Sequence, residues 1–443
     1  MRTATVTRRR FLQVAGVSAL TAASWARVRG ANETLRLASV GTGGKGWDDL
    51  VHVSAGPNVN VVALCDTDEG EKFLGRAATQ FKAAKTFTDW RRLLDRPKDF
   101  DAVTVSTPDH MHAPVALPAM ALGKHVFCQK PLTHTVFEAR QMRLAAKRAG
   151  VVTQMGNQIQ SHSAYRTAVK LVRDGTIGKV KAVHSWQAGK MGWLFAPDRP
   201  EGADPVPAGL HWDEWLGAAP ERPYKKDLYH SFNWRAWQDF SNGQLGDFGC
   251  HILDPVFLAL GLTAPLTVRA ESAPMNRSVW YTQSVVRYEF PGTERTAGAT
   301  LGLTWYDGEG KLPPHDALGL AKGVKLPGAG SLLIGEKGSL LVPHVAAPKL
   351  FPEADFQDFK FETVPAVDHY VGWADACRGV GKTTSHFDYA SALTETVLLG
   401  TVAIRTPGET LKWDAAKLAV TNSKAASALL TKPYRKGWEP TWV

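Results

Sequence analysis

A short apolar run, Leu35 to Val40, delivers the chain without a spacer into Gly41-Thr42-Gly43-Gly44-Lys45-Gly46. A strand that ends in Gly-x-Gly-x-x-Gly and continues as a helix leaves few folds open. The first glycine permits a tight turn, the second lets the backbone approach a diphosphate, and the third lets the helix lie close on the strand. The helix start then turns N–H groups and the positive end of its dipole toward that anion. Alone, the pattern also fits an ordinary Gly-rich turn. Its sequel narrows it, because a second apolar strand, Val59 to Leu64, ends in Cys65-Asp66, and Asp66 lies 20 residues beyond Gly46. A carboxylate there hydrogen-bonds the ribose hydroxyls of NAD and repels a 2′-phosphate, so NAD is favoured over NADP.

The next segments repeat the alternation. A strand at Ala102–Ser106 runs into Thr107-Pro108-Asp109-His110-Met111-His112, and another at His125–Cys128 runs into Gln129-Lys130-Pro131. Helices are expected at Trp90–Leu94, Ala113–Leu122 and Val136–Ala149. Strands alternating with helices predict a parallel sheet covered on both faces. The expected fold class is therefore α/β: a Rossmann dinucleotide-binding domain over residues 34–156, then a C-terminal α+β domain over 157–443 with a large, mostly antiparallel open sheet. The β-rich stretches Leu266–Glu271, Ser284–Phe290, Ala297–Trp305, Ser331–Ile334 and Ser339–Val342 support that sheet. Residues 308–327 read as a long loop and 344–363 as irregular, and helices at Tyr370–Arg378 and Tyr389–Arg405 are expected to close the second domain. An open sheet face of this kind predicts a homo-oligomer.

The strongest chemical signal is Gly246-Asp247-Phe248-Gly249-Cys250-His251-Ile252-Leu253-Asp254. On a helix, Asp247 and His251 share one face, and Asp254 falls one turn further along it. Histidine takes and returns a proton near neutral pH, which oxidation of a carbinol requires as its hydride leaves. Asp247 either orients the imidazole or contacts a second hydroxyl; the bland alternative is a buried structural histidine. His251 with Asp247 and Asp254 also forms a possible metal set, but no metal is expected. Residues 186–237 hold Trp186, Trp193, Trp212, Trp215, Trp234 and Trp237. Flat rings suit the C–H faces of sugars, although core packing explains most of them and only one or two are expected near substrate. Arg235 either binds a substrate carboxylate or pairs with Asp239. His184, His211 and His230 read as surface or structural.

Thr107-Pro108 with His112, followed by Lys130-Pro131 and the Asp247…His251 pair, resembles the Gfo/Idh/MocA dehydrogenase family. The resemblance implies catalysis by Lys130, Asp247 and His251. It implies cofactor contacts from Gly41, Gly43, Gly44, Lys45, Gly46, Asp66, Thr107, Pro108, His112, Gln129, Lys130 and Asn157, and substrate contacts from Trp234, Arg235 and Asp247. In the family the lysine approaches the nicotinamide ribose and the substrate hydroxyl. The family usually has Glu-Lys-Pro, whereas here Gln129 stands in the Glu position and the negative charge beside Lys130 is missing. The implied function is hydride transfer between NAD and a sugar or polyol. Two alternatives stand beside it: an NAD-dependent, redox-neutral glycoside hydrolase, and a sugar-binding protein without catalysis, for which the Gln129 departure is the sole support.

Thr7-Arg8-Arg9-Arg10-Phe11-Leu12-Gln13 resembles a twin-arginine export signal, with a weakly apolar stretch to Ala26 and a small-x-small site at Ser24-Trp25-Ala26. Residues 1–30 are read as that signal, and the mature chain as periplasmic or otherwise outside the cytoplasm. The stretch is too short to anchor in a membrane. An exported dinucleotide enzyme is expected to keep its cofactor through many turnovers. The formal charge of +10 owes much to six arginines in residues 1–30; without them 46 basic and 42 acidic residues remain, with no basic block for nucleic acid. The cysteines Cys65, Cys128, Cys250 and Cys377 are too scattered for a disulfide framework and read as packed thiols.

Overall fold

The computed structural model describes residues 34–192 and 198–440. The export signal expected over residues 1–30, and Trp193, lie outside the described residues.

Strand β1 (Leu35–Val40) is buried on both faces, as suits a central parallel strand. It leads through the Gly-rich turn into α1 (Lys45–Ser54), then β2 (Val59–Cys65), α2 (Leu74–Gln80), β3 (Lys85–Phe87) and α3 (Trp90–Leu94). The second half runs β4 (Ala102–Val105), α4 (His112–Ala121), β5 (His125–Cys128), α5 (Val136–Ala149) and β6 (Thr153–Met155). Helix α5 starts with a capping box, Thr135 on the Glu138 N–H and Glu138 on the Thr135 N–H, and stops at left-handed Gly150. The six strands lie in the order β3-β2-β1-β4-β5-β6 and pair in parallel. Strand order reverses between β1 and β4, so the loops at their C-terminal ends part and leave a crevice. Those loops are Gly41–Gly44 and Ser106–Pro108.

The chain continues through α6 (Ser163–Arg173), β7 (Val180–Gln187), α7 (Trp212–Leu216), α8 (Gly243–Ile252) and α9 (Asp254–Leu260). Next come β8 (Thr267–Ser272), β9 (Ser284–Pro291), β10 (Thr300–Asp307), β11 (Ala329–Gly335), β12 (Ser339–Pro343) and β13 (Lys349–Phe351). The last elements are α10 (His369–Cys377), α11 (Phe387–Arg405), β14 (Thr410–Asp414), β15 (Ala419–Val420) and α12 (Lys424–Ala428). They form a nine-stranded sheet, β13-β12-β11-β7-β10-β9-β8-β14-β15, antiparallel except for β7 beside β10. The α/β class thus combines a Rossmann-like parallel sheet with a second, mostly antiparallel one. Exposed Arg269, Glu271, Arg287 and Glu289 alternate with buried residues on β8 and β9.

Three expectations need correction. The stretch 344–363 is not wholly irregular, since β13 pairs with β12. Helix α10 does not simply close the second domain: Trp373, Ala374 and Cys377 pack with Leu35, Leu37, Leu50, Val53 and Phe127 on the first sheet. Asp254 does not extend the stripe of Asp247 and His251. Pro255 has no N–H for the helical ladder, and the chain starts a fresh helix, α9, at Asp254.

All four cysteines are buried and unbridged. Among the described residues, no helix is long and apolar enough to cross a membrane.

Candidate active site

The crevice deepens into a cavity of about 780 Å³ that extends from the Gly-rich turn to α8. Its floor is set by close backbone approach. Gly41 has φ of +82°, and a Cβ there would lie 2.5 Å from the Ser106 carbonyl oxygen; a Cβ on Gly46 would lie 2.2 Å from that of Gly41. Gly43 lies against the Phe73 ring, while a Cβ on Gly44 would meet nothing within 4 Å. Gly44 is also the N-cap of α1 and offers no capping side chain. An uncapped helix start facing an open, backbone-lined cleft fits a dinucleotide diphosphate.

Asp66 stands at the wall beside this turn, half-buried. Its Oδ2 accepts from the N–H groups of Thr42 (2.7 Å) and Gly43 (3.2 Å), and its Oδ1 from that of Asp68 (3.1 Å). The carboxylate thus pins the Gly-rich turn and retains lone pairs for ribose hydroxyls. Burial pushes its pKa up against these bonds. Nearby, His230 is neither surface nor remote, as its Nε2 meets Asp68 at 2.7 Å and its ring lies 5.0 Å from that of Phe73 at the cavity wall.

Lys45 lines the cavity but is held by Asp49 and by the Tyr370 hydroxyl at 3.0 Å. Burial opposes its charge, yet Asp49 and Tyr370 together outweigh burial and hold the ammonium above its ordinary range. Asp49 is fully buried, and its Oδ2 also accepts from Ser106 Oγ (2.7 Å) and Gln129 Nε2 (2.8 Å). This gives Gln129 its reason. The carboxylate missing from position 129 is present on α1, and a donor amide faces it where a second acid would be repelled. Asp49 escaped the sequence reading; its one signal was the i, i+4 spacing from Lys45.

At the other end, Lys130 Nζ donates to Asp247 Oδ1 (2.5 Å) and to the Asp247 carbonyl (2.6 Å). Arg235 Nε lies 3.7 Å from the same Oδ1. Arg235 therefore does not pair with Asp239, which Arg199 and Arg222 hold instead. Burial would raise the Asp247 pKa, but Lys130 and Arg235 outweigh it and hold the carboxyl at about 2. His251, one turn on, lines the cavity and keeps Nδ1 buried without a partner. Burial, then Lys130, holds its pKa well below the usual value, so the imidazole is neutral at pH 7. Asp247 thus bonds Lys130 rather than orienting the imidazole.

Thr107, Pro108, Gln129, Arg235, two of the tryptophans, Trp215 and Trp234, and, unforeseen, Asp109 also line the cavity. Asp109 Oδ2 accepts from the N–H (3.0 Å) and Nδ2 (3.2 Å) of Asn242, the residue before α8, and so ties the two halves of the cavity together. Burial pushes Asp109 up to about 7. Two expected cofactor ligands stand behind the wall. His112 is buried between the carbonyls of Pro131 (2.8 Å) and Thr107 (2.9 Å). Burial holds it at about 4, so it is neutral and donates to only one of them. Asn157 is fully buried and gives its amide to Asp254 Oδ1 at 3.2 Å. The same oxygen accepts from Tyr389 (2.6 Å) and Gln160 (2.9 Å), so Asp254 is not gathered with Asp247 and His251 into a metal set. Trp186 is core, and Trp212 and Trp237 pack in the cluster behind Trp215 and Trp234.

Comparison with known families decides the wider grouping. The profile for the oxidoreductase family's NAD-binding Rossmann fold matches residues 35–157, and that for its C-terminal alpha/beta domain matches residues 162–293. The chain belongs to the Gfo/Idh/MocA oxidoreductase family. The levoglucosan dehydrogenase of Pseudarthrobacter phenanthrenivorans is 27% identical over 179 residues, 40% of this chain and 37% of that protein. A glycosyl hydrolase family 109 protein of Shewanella pealeana is 30% identical over 155 residues, 33% of this chain and 34% of that one. The matches thus span little more than a third of these relatives' lengths. The crystal structure of a Caulobacter crescentus aldose–aldose oxidoreductase with glycerol superposes with a TM-score of 0.59 at 19% identity, over 86% of this chain and 100% of that one. That likeness is one of fold.

Proposed function

We propose that this Gfo/Idh/MocA protein is an NAD-dependent oxidoreductase that transfers hydride between a carbinol carbon of a sugar or polyol and a tightly held nicotinamide. One observation carries the reading: Lys130, Asp247 and His251 meet in the same cavity that opens at the uncapped Gly41–Lys45 turn. The N–H groups of Gly44 and Lys45 would hold the diphosphate and Asp66 the adenosine ribose, which favours NAD over NADP. The nicotinamide supplies the hydride acceptor.

Two cations, Lys130 and Arg235, are both held against Asp247 there, so the pocket suits a neutral polyol better than a sugar acid. Trp234 and Trp215 present ring surface to its C–H faces. Lys130 stabilises oxyanion character on the reacting oxygen. Neutral His251 accepts the hydroxyl proton as two electrons leave with the hydride and the carbinol becomes a carbonyl. Asp247 holds the Lys130 ammonium in place. The non-catalytic alternative loses its one support, since Gln129 answers Asp49.

The twin-arginine pattern supports export, and with it a cofactor reoxidised in place by a second sugar or keto-sugar. The hydrolase-named relative supports a second reading, in which the aglycone is eliminated from the oxidised sugar, water adds in its place and the hydride then returns to the same sugar. Product analysis separates the two: a keto-sugar for the first, a released aglycone without net nicotinamide reduction for the second. For both, His251→Ala should keep bound dinucleotide and lose turnover; unchanged turnover would remove His251 from the mechanism.

A further inference from the structure

A second cavity of about 780 Å³ shares no lining residue with the first. It is enclosed by the end of α11, the turn after β8 and the C-terminal segment 425–433. We propose that it binds a small organic anion, a carboxylate or phosphate monoester on a flat apolar body, with Arg405 as the counter-charge.

Arg405 is the last residue of α11. Among the described residues it forms no ion pair. Its Nε is buried with no hydrogen-bond partner, and its contacts are the Leu429 carbonyl at 3.4 Å and the face of Trp280 at 5.7 Å. Burial alone acts on the guanidinium, lowering its pKa to about 10. Arg140 holds Glu395 at 2.8 Å and Arg222 holds Asp239, whereas Arg76, whose Nε is likewise buried without a hydrogen-bond partner, lines the first cavity. Arg405 is half-buried, and the C-terminal dipole of α11 offers it about half a unit of negative charge, short of a full counter-charge.

Neighbouring charges do not supply the remainder. Asp239 lines the cavity but already serves Arg199 and Arg222. Lys432 is satisfied by Glu138 (3.1 Å), the His110 carbonyl (3.0 Å) and His134 (3.1 Å). The unmet requirement of the cavity is one negative charge. Trp280, Met275, Ile404 and Leu429 surround it with apolar surface, which a bare inorganic ion would leave unused. A charged head on a flat body meets both conditions.

Phenyl phosphate is a suitable probe, titrated calorimetrically into the full chain saturated with NAD so that the dinucleotide site is filled. The expected result is saturable binding of one molecule per chain, weaker binding of inorganic phosphate and none of phenol. Arg405→Met should weaken phenyl phosphate at least tenfold. Ala428→Trp, which fills the cavity and leaves Arg405 in place, should do the same, and Lys130→Met in the other cavity should not. Equal binding by wild type and Arg405→Met, or no saturable binding by wild type, overturns the proposal. A dimer whose interface closes this cavity, seen by light scattering, overturns it too. Should Arg405→Met fail to fold, the Ala428→Trp titration and a phenyl phosphate soak decide, and a bound phosphate away from Arg405 refutes the assignment.

Discussion

Gln129→Glu restores the residue usual in the family at that position and should nonetheless damage this protein. Gln129 Nε2 now donates to Asp49 Oδ2 across 2.8 Å, both groups being buried. The variant removes that charge-assisted bond, worth about 1.5–3 kcal/mol. It also sets two carboxylates against each other, which at this separation and an effective dielectric of about 20 repel by about 6 kcal/mol. Lys45 on the far oxygen of Asp49 offsets part of this, and uptake of one shared proton offsets more. A net loss of roughly 3 kcal/mol at pH 8.5 follows. The sign with pH is definite. The pair's folded pKa rises above its unfolded value near 4, so the penalty is absent below that value, grows as pH rises and is complete above the raised pKa. Urea unfolding at pH 5 and 8.5 should show a deficit larger at pH 8.5. Asp49→Asn combined with Gln129→Glu should recover most of it. A Gln129→Glu protein as stable as wild type at pH 8.5 would refute the reasoning.

Asp109 is held at about 7 in the folded state, above its unfolded value near 4, so wild type loses stability as pH rises from 4 through 7. Asp109→Asn keeps an acceptor for Asn242 and removes the titration; melting temperatures should favour the variant more at pH 8 than at pH 5, and a constant difference would contradict this. Replacing Arg8 and Arg9 together by lysine should leave the protein in the cytoplasm, as read by fractionation with a signal-fused reporter; undiminished export would discard the twin-arginine reading.

What the sequence made legible was local. The β1–turn–α1 unit, the strand ending in Asp66, and the i, i+4 relation of Asp247 to His251 all follow from short-range spacing. What stayed hidden depends on distant partners. Asp49 looks like a solvated helix acid until Ser106 and Gln129, 57 and 80 residues away, converge on it. Asp109 gains its role from Asn242, 133 residues on. Arg235 had a plausible partner four residues away in Asp239, but tertiary contacts gave that acid to Arg199 and Arg222. Helix α10 could be read as a helix, yet nothing along the chain places Trp373 beneath the first sheet.

The proposed chemistry requires a dinucleotide held at the Gly41–Lys45 turn and facing Lys130 and His251. The most direct test is to purify the full chain, denature it and assay the released cofactor enzymatically. Close to one NAD(H) per chain, with little NADP(H), is the predicted result. A protein that emerges empty and then binds neither dinucleotide would contradict it.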